Sequence, residues 1–220
     1  MGYSLAQDVH ACEADGQLYF LDVRRDRYCR AGPSASQALV NADDLDLDRN
    51  WAPDALVAAG LLAFSRGGAD RPALCRHKSP ERDLHAHLSR RPPVRMGDVL
   101  AVAAFAAAAS WRLRFGGFAR ALAWARGQAP GRRERHIVID ELAVEIAQYQ
   151  CARSLLPASP RCLLDSLTLK AWTAARGVRT QLVIGIRPLP FAAHCWVEHQ
   201  SIVLNGSQDG IANFTPICVL

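Results

Sequence analysis

Residues 159–205 read SPRCLLDSLTLKAWTAARGVRTQLVIGIRPLPFAAHCWVEHQSIVLN. Ser159 suits an N-cap and Pro160 a first helical position, and Gly177 is a natural stop, so the spacing predicts a helix through Leu169 and Ala175. Cys162 then sits in its first turn. Backbone N–H groups without intrahelical partners and the positive end of the helix dipole favour a thiolate there, and the thiolate is the attacking species. The branched apolar run Gln181–Arg187, closed by Pro188 and Pro190, reads as a central strand.

A hairpin follows, with arms from about His194 to His199 and from Ser201 or Ile202 to Asn205. A two-residue turn at Gln200 and Ser201 sets Val197 opposite Leu204 and His199 opposite Ile202. Cys195, Val197, Ile202 and Leu204 then share one apolar face, and His194, Trp196, Glu198, Val203 and Asn205 take the other. A slip of one residue would destroy both faces. In this register His194 and Asn205 are diagonal neighbours. Helix-start Cys162, strand His194 and next-strand Asn205 are the types that thiol catalysis uses as nucleophile, base and orienting group. Taken alone, a cysteine is more often a small buried hydrophobe, and Cys195 on the apolar face fits that description.

The combination of RCL, an alanine-rich helix ending in RGV, a strand, FAAHCWVE and a terminal FTP resembles the transglutaminase-like B proteins of lasso-peptide biosynthesis. These are cysteine peptidases that remove the leader from a ribosomally made precursor. By position the resemblance makes Cys162 the nucleophile and His194 its histidine, 32 residues further on. The family usually carries an Asp on the strand after the His, where this chain has Asn205 and Gly206. Asn205 is the favoured orienting residue, with Asp209 folding back as the alternative. The resemblance also implies that the released core peptide passes to an asparagine-synthetase-like cyclase.

Length and composition set the bounds. The 220 residues hold one large or two small domains, and half of them are hydrophobic, which marks a globular chain. Residues 1–90 carry 11 basic and 13 acidic side chains, whereas 91–220 carry 15 and 8, so the front is not a basic DNA-binding module. Seven Arg between Arg112 and Arg135 form the most basic stretch; it reads as a solvated helix face, or as a surface for an acidic partner. Seven cysteines without a CxxC or a zinc-ligand spacing, and no basic-apolar signal at the N-terminus, point to free thiols in a reducing, cytoplasmic setting. The apolar run Val99–Ser110 is too short to span a bilayer, which needs about 20 residues. No nucleotide motif is visible, and no cofactor, metal, nucleic acid or membrane partner is expected.

In the front third, a turn at Asp15–Gly16, the strand QLYFLDV, a turn at Arg24–Asp26 and the strand RYCR make a hairpin. A short helix from Pro33 and Ser34 through Val40, and a second from Pro53 to about Gly60, complete a winged helix-turn-helix outline. The DGQLYFLDVRRDRYCRAG stretch resembles the PqqD-like recognition element of peptide-maturing enzymes. That family binds its leader as an added strand, which implies leader-binding roles for Leu18, Phe20, Tyr28, Leu56 and Leu61. Most of these could equally be core. DNA binding ranks below peptide binding, because APDALVAAG offers no Arg or Lys for a recognition helix.

The polar tract Ser65–Pro93 marks the junction between domains. His85 and His87 within it lack the further ligands that a metal needs. Met96–Ala109 is apolar nearly all round and is expected to be a buried helix, with Phe118–Arg126 a second and Ile137–Leu155 a third. Gln148 and Gln150 are open candidates for holding an oxyanion beside the Cys162 N–H.

The expectation is therefore an α+β protein. Residues 1–80 form a winged helix-turn-helix, PqqD-like leader-recognition domain and 81–220 a transglutaminase-like, papain-type cysteine peptidase. The function expected is leader removal. The rivals are an acyl transferase of the same fold, and a non-catalytic precursor-binding chaperone that needs neither Cys162 nor His194.

Overall fold

The computed structural model describes residues 2–33, 54–65, 73–84, 92–130, 134–156 and 161–220. The chain divides into two compact units. One comprises Met1–Lys78 with Gly185–Ala193 and Thr215–Val219, the other Ser79–Ile184 with His194–Phe214 and Leu220.

In the first unit β1 (Gly2–Leu5) pairs antiparallel with β5 (Leu62–Ser65), and β2 (Val9–Ala14), β3 (Gln17–Asp22) and β4 (Arg27–Arg30) form an antiparallel meander. Asp15 (φ 51°) and Gly16 (φ 70°) both adopt the left-handed conformation that a tight two-residue hairpin requires, which Asp-Gly supplies at low cost. The β3–β4 link is held by Asp22, whose carboxylate accepts from the Arg25 backbone N–H at 3.0 Å and from its guanidinium at 2.9 Å. Burial pushes the Asp22 carboxyl up, but these bonds outweigh it and hold the group below the ordinary carboxylate range.

The hairpin expected from sequence is thus the second half of a three-stranded sheet. β2 gives little signal in the sequence because VHACEA holds a single branched residue, Val9, and no Phe, Tyr or Trp. α1 (Asp54–Ala58) is the described remnant of the second expected helix. The first expected helix falls largely on residues 34–53, outside the described residues. Leu18, Phe20, Leu56 and Leu61 all lie in one buried core with Val9, Ala11 and Leu62. Four of the five leader-binding candidates are therefore core residues here, because alternate positions of a sheet covered by α1 face inward. Only Tyr28 reaches the surface.

The second unit is built on α2 (Met96–Arg126), α3 (Ile139–Ser154) and α4 (Cys162–Ala175). α2 joins two expected helices across a break at Gly117, whose φ of 71° no ordinary helical residue adopts. The expectation that its first half is buried needs correction. Val102 is buried and Val99 and Phe105 pack on the core, yet Met96, Leu100, Trp111 and Phe115 are 60–71 % exposed. An alanine-rich helix that is apolar on every side gives no directional signal, and among the described residues only one of its sides finds a partner.

α4 is nearly engulfed, with Ser166 through Thr173 all buried. Gly177 ends it as expected. At φ 81°, Gly177 donates to Ala174 O at 3.0 Å and Val178 donates to Thr173 O at 2.9 Å, the paired bonds of a Schellman cap. The core joins Leu169 and Trp172 of α4 to Leu142, Ile146 and Tyr149 of α3.

β7 (Gln181–Arg187), β8 (Ala192–His199) and β9 (Ile202–Val203) follow. Together with β10 (Thr215–Val219) and β6 (Arg82–Asp83) they form a sheet in the order β10-β7-β8-β9-β6. The β8–β9 register is the one that the sequence requires. His199 faces Ile202, Glu198 faces Val203, and Gln200 (φ 48°) and Ser201 (φ 63°) make the two-residue turn. Val197, Ile202 and Leu204 all join the core cluster.

Candidate active site

Cys162 is the first residue of α4 and is exposed. The expected cap, Ser159 with Pro160, lies outside the described residues. The residue at the N-cap is Arg161, extended (φ −133°, ψ 110°) and without a side-chain cap bond. The first intrahelical bond runs from Asp165 N to Arg161 O at 2.9 Å, so the Cys162 N–H precedes the helical ladder.

Asp165 takes over the capping work. Its carboxylate accepts from the Arg161 N–H at 3.1 Å and from Arg153 Nε at 2.8 Å, while Tyr149 Oη donates to the Asp165 carbonyl at 3.1 Å. Burial pushes the Tyr149 phenol well up, which keeps it a donor. Arg153 and Tyr149 of α3 thus fix the turn that presents Cys162.

One turn further along the same helix face stands Ser166, 0 % exposed. Its Oγ donates to the Cys195 carbonyl at 2.9 Å and accepts from Asn205 Nδ2 at 2.9 Å. Asn205 Oδ1 in turn accepts from the Val197 N–H at 2.7 Å. This latch ties the helix that begins with Cys162 to the strand position next to His194. Direction matters as well. At the far end of β8, His199 Nδ1 meets Arg179 O at 2.7 Å, just past the C-terminus of α4. β8 therefore runs in the same sense as α4, and its His194 end lies toward the Cys162 end.

His194 is half-buried, its ring 6.1 Å from that of Trp196 in a stacked arrangement and 5.4 Å from that of Phe214. Trp196 Nε1 donates to the buried Glu198 carboxylate at 2.5 Å, which fixes the indole plane. Burial lowers the His194 pKa from its ordinary value. The imidazole is thereby neutral near pH 7, the form that accepts a proton.

Asn205 does not orient His194 in this structure. Past the end of β9 at Val203, Leu204 N–H still donates to the Val197 carbonyl at 2.9 Å, while the Asn205 side-chain amide takes the Val197 N–H, so both ends of the amide are engaged elsewhere. Asp209, the alternative, is exposed in the first turn of α5 (Gln208–Ile211). The aromatic rings of Trp196 and Phe214 are what hold the imidazole among the described residues.

Ser166, Trp196 and Phe214 are the site residues that sequence reasoning missed. A serine four residues after Cys162, and so on the same face of the helix, was the available signal for Ser166. Gln148 and Gln150 lie half-buried on α3. Cys195 is buried, as its place on the apolar face suggested, and so is Cys218. Among the described residues no three His, Cys, Asp or Glu side chains group as a metal site would need; His85 and His87 lie outside them.

A helix that opens on an exposed cysteine and is latched to the strand carrying a neutral histidine is the arrangement of papain-like thiol enzymes. The sequence profile described as Transglutaminase-like superfamily matches residues 105–219, more than half of the chain. The chain belongs to the transglutaminase-like superfamily, whose character is that of cysteine peptidases and acyl transferases. Neither the curated proteins nor the solved structures include a match.

Proposed function

We propose that the protein is a cysteine peptidase that removes the leader of a ribosomally made lasso-peptide precursor. The observation that carries a thiol mechanism is the Ser166 latch, which sets the start of the Cys162 helix beside the strand of His194. On this reading Cys162 Sγ attacks the scissile carbonyl after His194 accepts its proton. His194 returns the proton to the leaving amine, and water then resolves the thioester. The Cys162 N–H stabilises the oxyanion.

The leader-specific part rests on the front unit. β4 is a terminal strand of its sheet, and beside it a surface pocket is lined by Tyr19, Tyr28, Cys29, Arg30, Pro188 and Phe191. Tyr28 stacks edge-on against Phe191 at 5.5 Å. A peptide added along β4 would set a side chain into this pocket, the PqqD-like mode of recognition. The fuller reading keeps the protein in the cytoplasm, without metal or nucleic acid, and hands the core peptide to an asparagine-synthetase-like cyclase.

The test is to incubate the full chain with a lasso precursor and weigh the products, with and without an added amine. Cleavage abolished by Cys162→Ala and by His194→Ala supports the peptidase. An amine-linked product identifies an acyl transferase. Binding that is indifferent to both substitutions, with no product, identifies a chaperone. Weaker leader binding by Tyr28→Ala, read by anisotropy, tests the docking site separately.

A further inference from the structure

α2 carries two apolar faces, and among the described residues only one of them packs into a core. Its inner face, with Val99, Val102 and Phe105, packs into the core. At about 100° per residue, Met96, Leu100, Ala104, Ala107, Trp111 and Phe115 all fall within one sector of about 100°. All six are exposed, and Leu100, Trp111 and Phe115 keep 60 % or more of their surface in solvent. At about 1.5 Å per residue the stripe is about 28 Å long. An unburied apolar strip of this length is not the ordinary scatter of surface hydrophobes.

The charge around the strip is one-sided. On the strip's own side of the break at Gly117 stand Arg112 and Arg114 against a single acid, Asp98; Arg112 turns back to donate to the Ala108 carbonyl at 2.9 Å and lies 4.8 Å over the Trp124 ring, which leaves Arg114 beside the strip. Asp98 is consumed internally, accepting from Arg176 at 2.8 Å. Arg114 lies 5.7 Å over the Phe115 ring, so a cation borders the strip itself. The helix is long and apolar enough to cross a bilayer, but its inner face is committed to the core, so crossing would strip that core.

We propose that the outer face of α2 is an interfacial membrane-docking surface that lies flat on an anionic lipid bilayer, with Trp111 and Phe115 entering the headgroup boundary and Arg114 meeting lipid phosphates. A second copy of the chain is disfavoured by the same charges. Stacking the strip on its own image sets basic side chains against basic ones, with no free acid on the face to pair them. Anionic lipid supplies both an apolar depth and the opposite charge. The proposal does not depend on the peptidase reading, since the surface lies on a different helix from Cys162.

The experiment is flotation of the full-length protein with vesicles of phosphatidylcholine and phosphatidylglycerol in equal parts, compared with phosphatidylcholine alone, at about 0.1 M and about 0.5 M salt. Wild type is expected to float with the anionic vesicles and to be weakened by salt. The double variant Trp111→Glu, Phe115→Glu should lose at least about tenfold in partitioning, and Arg114→Glu should lose affinity only for the anionic vesicles. Near-ultraviolet circular dichroism checks folding, and the wild-type lipid and salt dependence decides the matter if the double variant fails to fold. Absence of flotation with anionic vesicles overturns the proposal. So does flotation that neither substitution reduces, or a dimer in sedimentation equilibrium that the double variant dissociates.

Discussion

Ser166→Ala is the substitution that most directly probes how the site is assembled. It removes one oxygen from a fully buried position and takes one hydrogen bond from each of two groups, the Cys195 carbonyl and Asn205 Nδ2. A net hydrogen bond contributes about 1 kcal/mol, and a buried group left unpaired costs about 1–3 kcal/mol. Asn205 is half-buried and recovers part of its loss to water, so the expected destabilisation is about 2–3 kcal/mol. For a chain of this size that corresponds to a fall in Tm of about 4–12 °C. The functional consequence is distinct. Without the latch the first turn of α4 is free to shift against β8, and a displacement of about 1 Å between reacting groups costs about a hundredfold in rate. Thermal and urea unfolding measure the first effect, and product formation below the melting range measures the second. Ser166→Thr offers the hydroxyl again and should restore part of both if the extra methyl fits. Stability within about 0.5 kcal/mol of wild type together with an unchanged turnover would refute the latch as the link between Cys162 and His194.

Asn205→Ala should cost about 1–3 kcal/mol, because the Val197 N–H and the Ser166 hydroxyl both lose a partner, whereas exposed Asp209→Ala should stay within about 0.5 kcal/mol; chemical denaturation ranks the two. Trp196→Phe keeps a ring against His194 but takes one donor from the buried Glu198, so it should destabilise the fold by about 1–3 kcal/mol in urea unfolding without abolishing activity. For His194 the folded pKa is depressed, so between it and the ordinary value of about 6.5 the unfolded chain binds more protons and stability falls as pH drops through that window. The acid limb of kcat/KM should accordingly lie below about 6.5, and His194→Gln should remove this part of the pH-dependence of unfolding. Lys170 follows the same sign. Burial, and secondarily Arg179, lowers its pKa from 10.5 to about 8 while Nζ donates to Thr180 O and Leu220 O. Stability of wild type relative to Lys170→Met should therefore rise from about pH 8 toward 10.5, and a flat difference curve would show the amine to be solvated.

What the sequence by itself determined was local. The β8–β9 register followed from the period of two and a turn that Gln200 and Ser201 could make, and the end of α4 from the one residue, Gly177, that accepts a left-handed conformation without strain. Cys162 at a helix start and His194 on the first arm of the hairpin came from the same short-range rules. Tertiary structure decided everything that depends on which partner arrives from elsewhere in the chain. Diagonal neighbours on a hairpin are within reach of one another, yet Asn205 is drawn to the Val197 N–H and Ser166, because the last backbone rung, Leu204 N–H to the Val197 carbonyl, is one-sided and the Val197 N–H must be satisfied by another acceptor. Leu18, Phe20, Leu56 and Leu61 are apolar on either reading, and only the packing of α1 against the front sheet makes them core. The alanine-rich start of α2 could not say which side it buries, since burial is a property of the neighbours that meet a helix and its composition was the same all round.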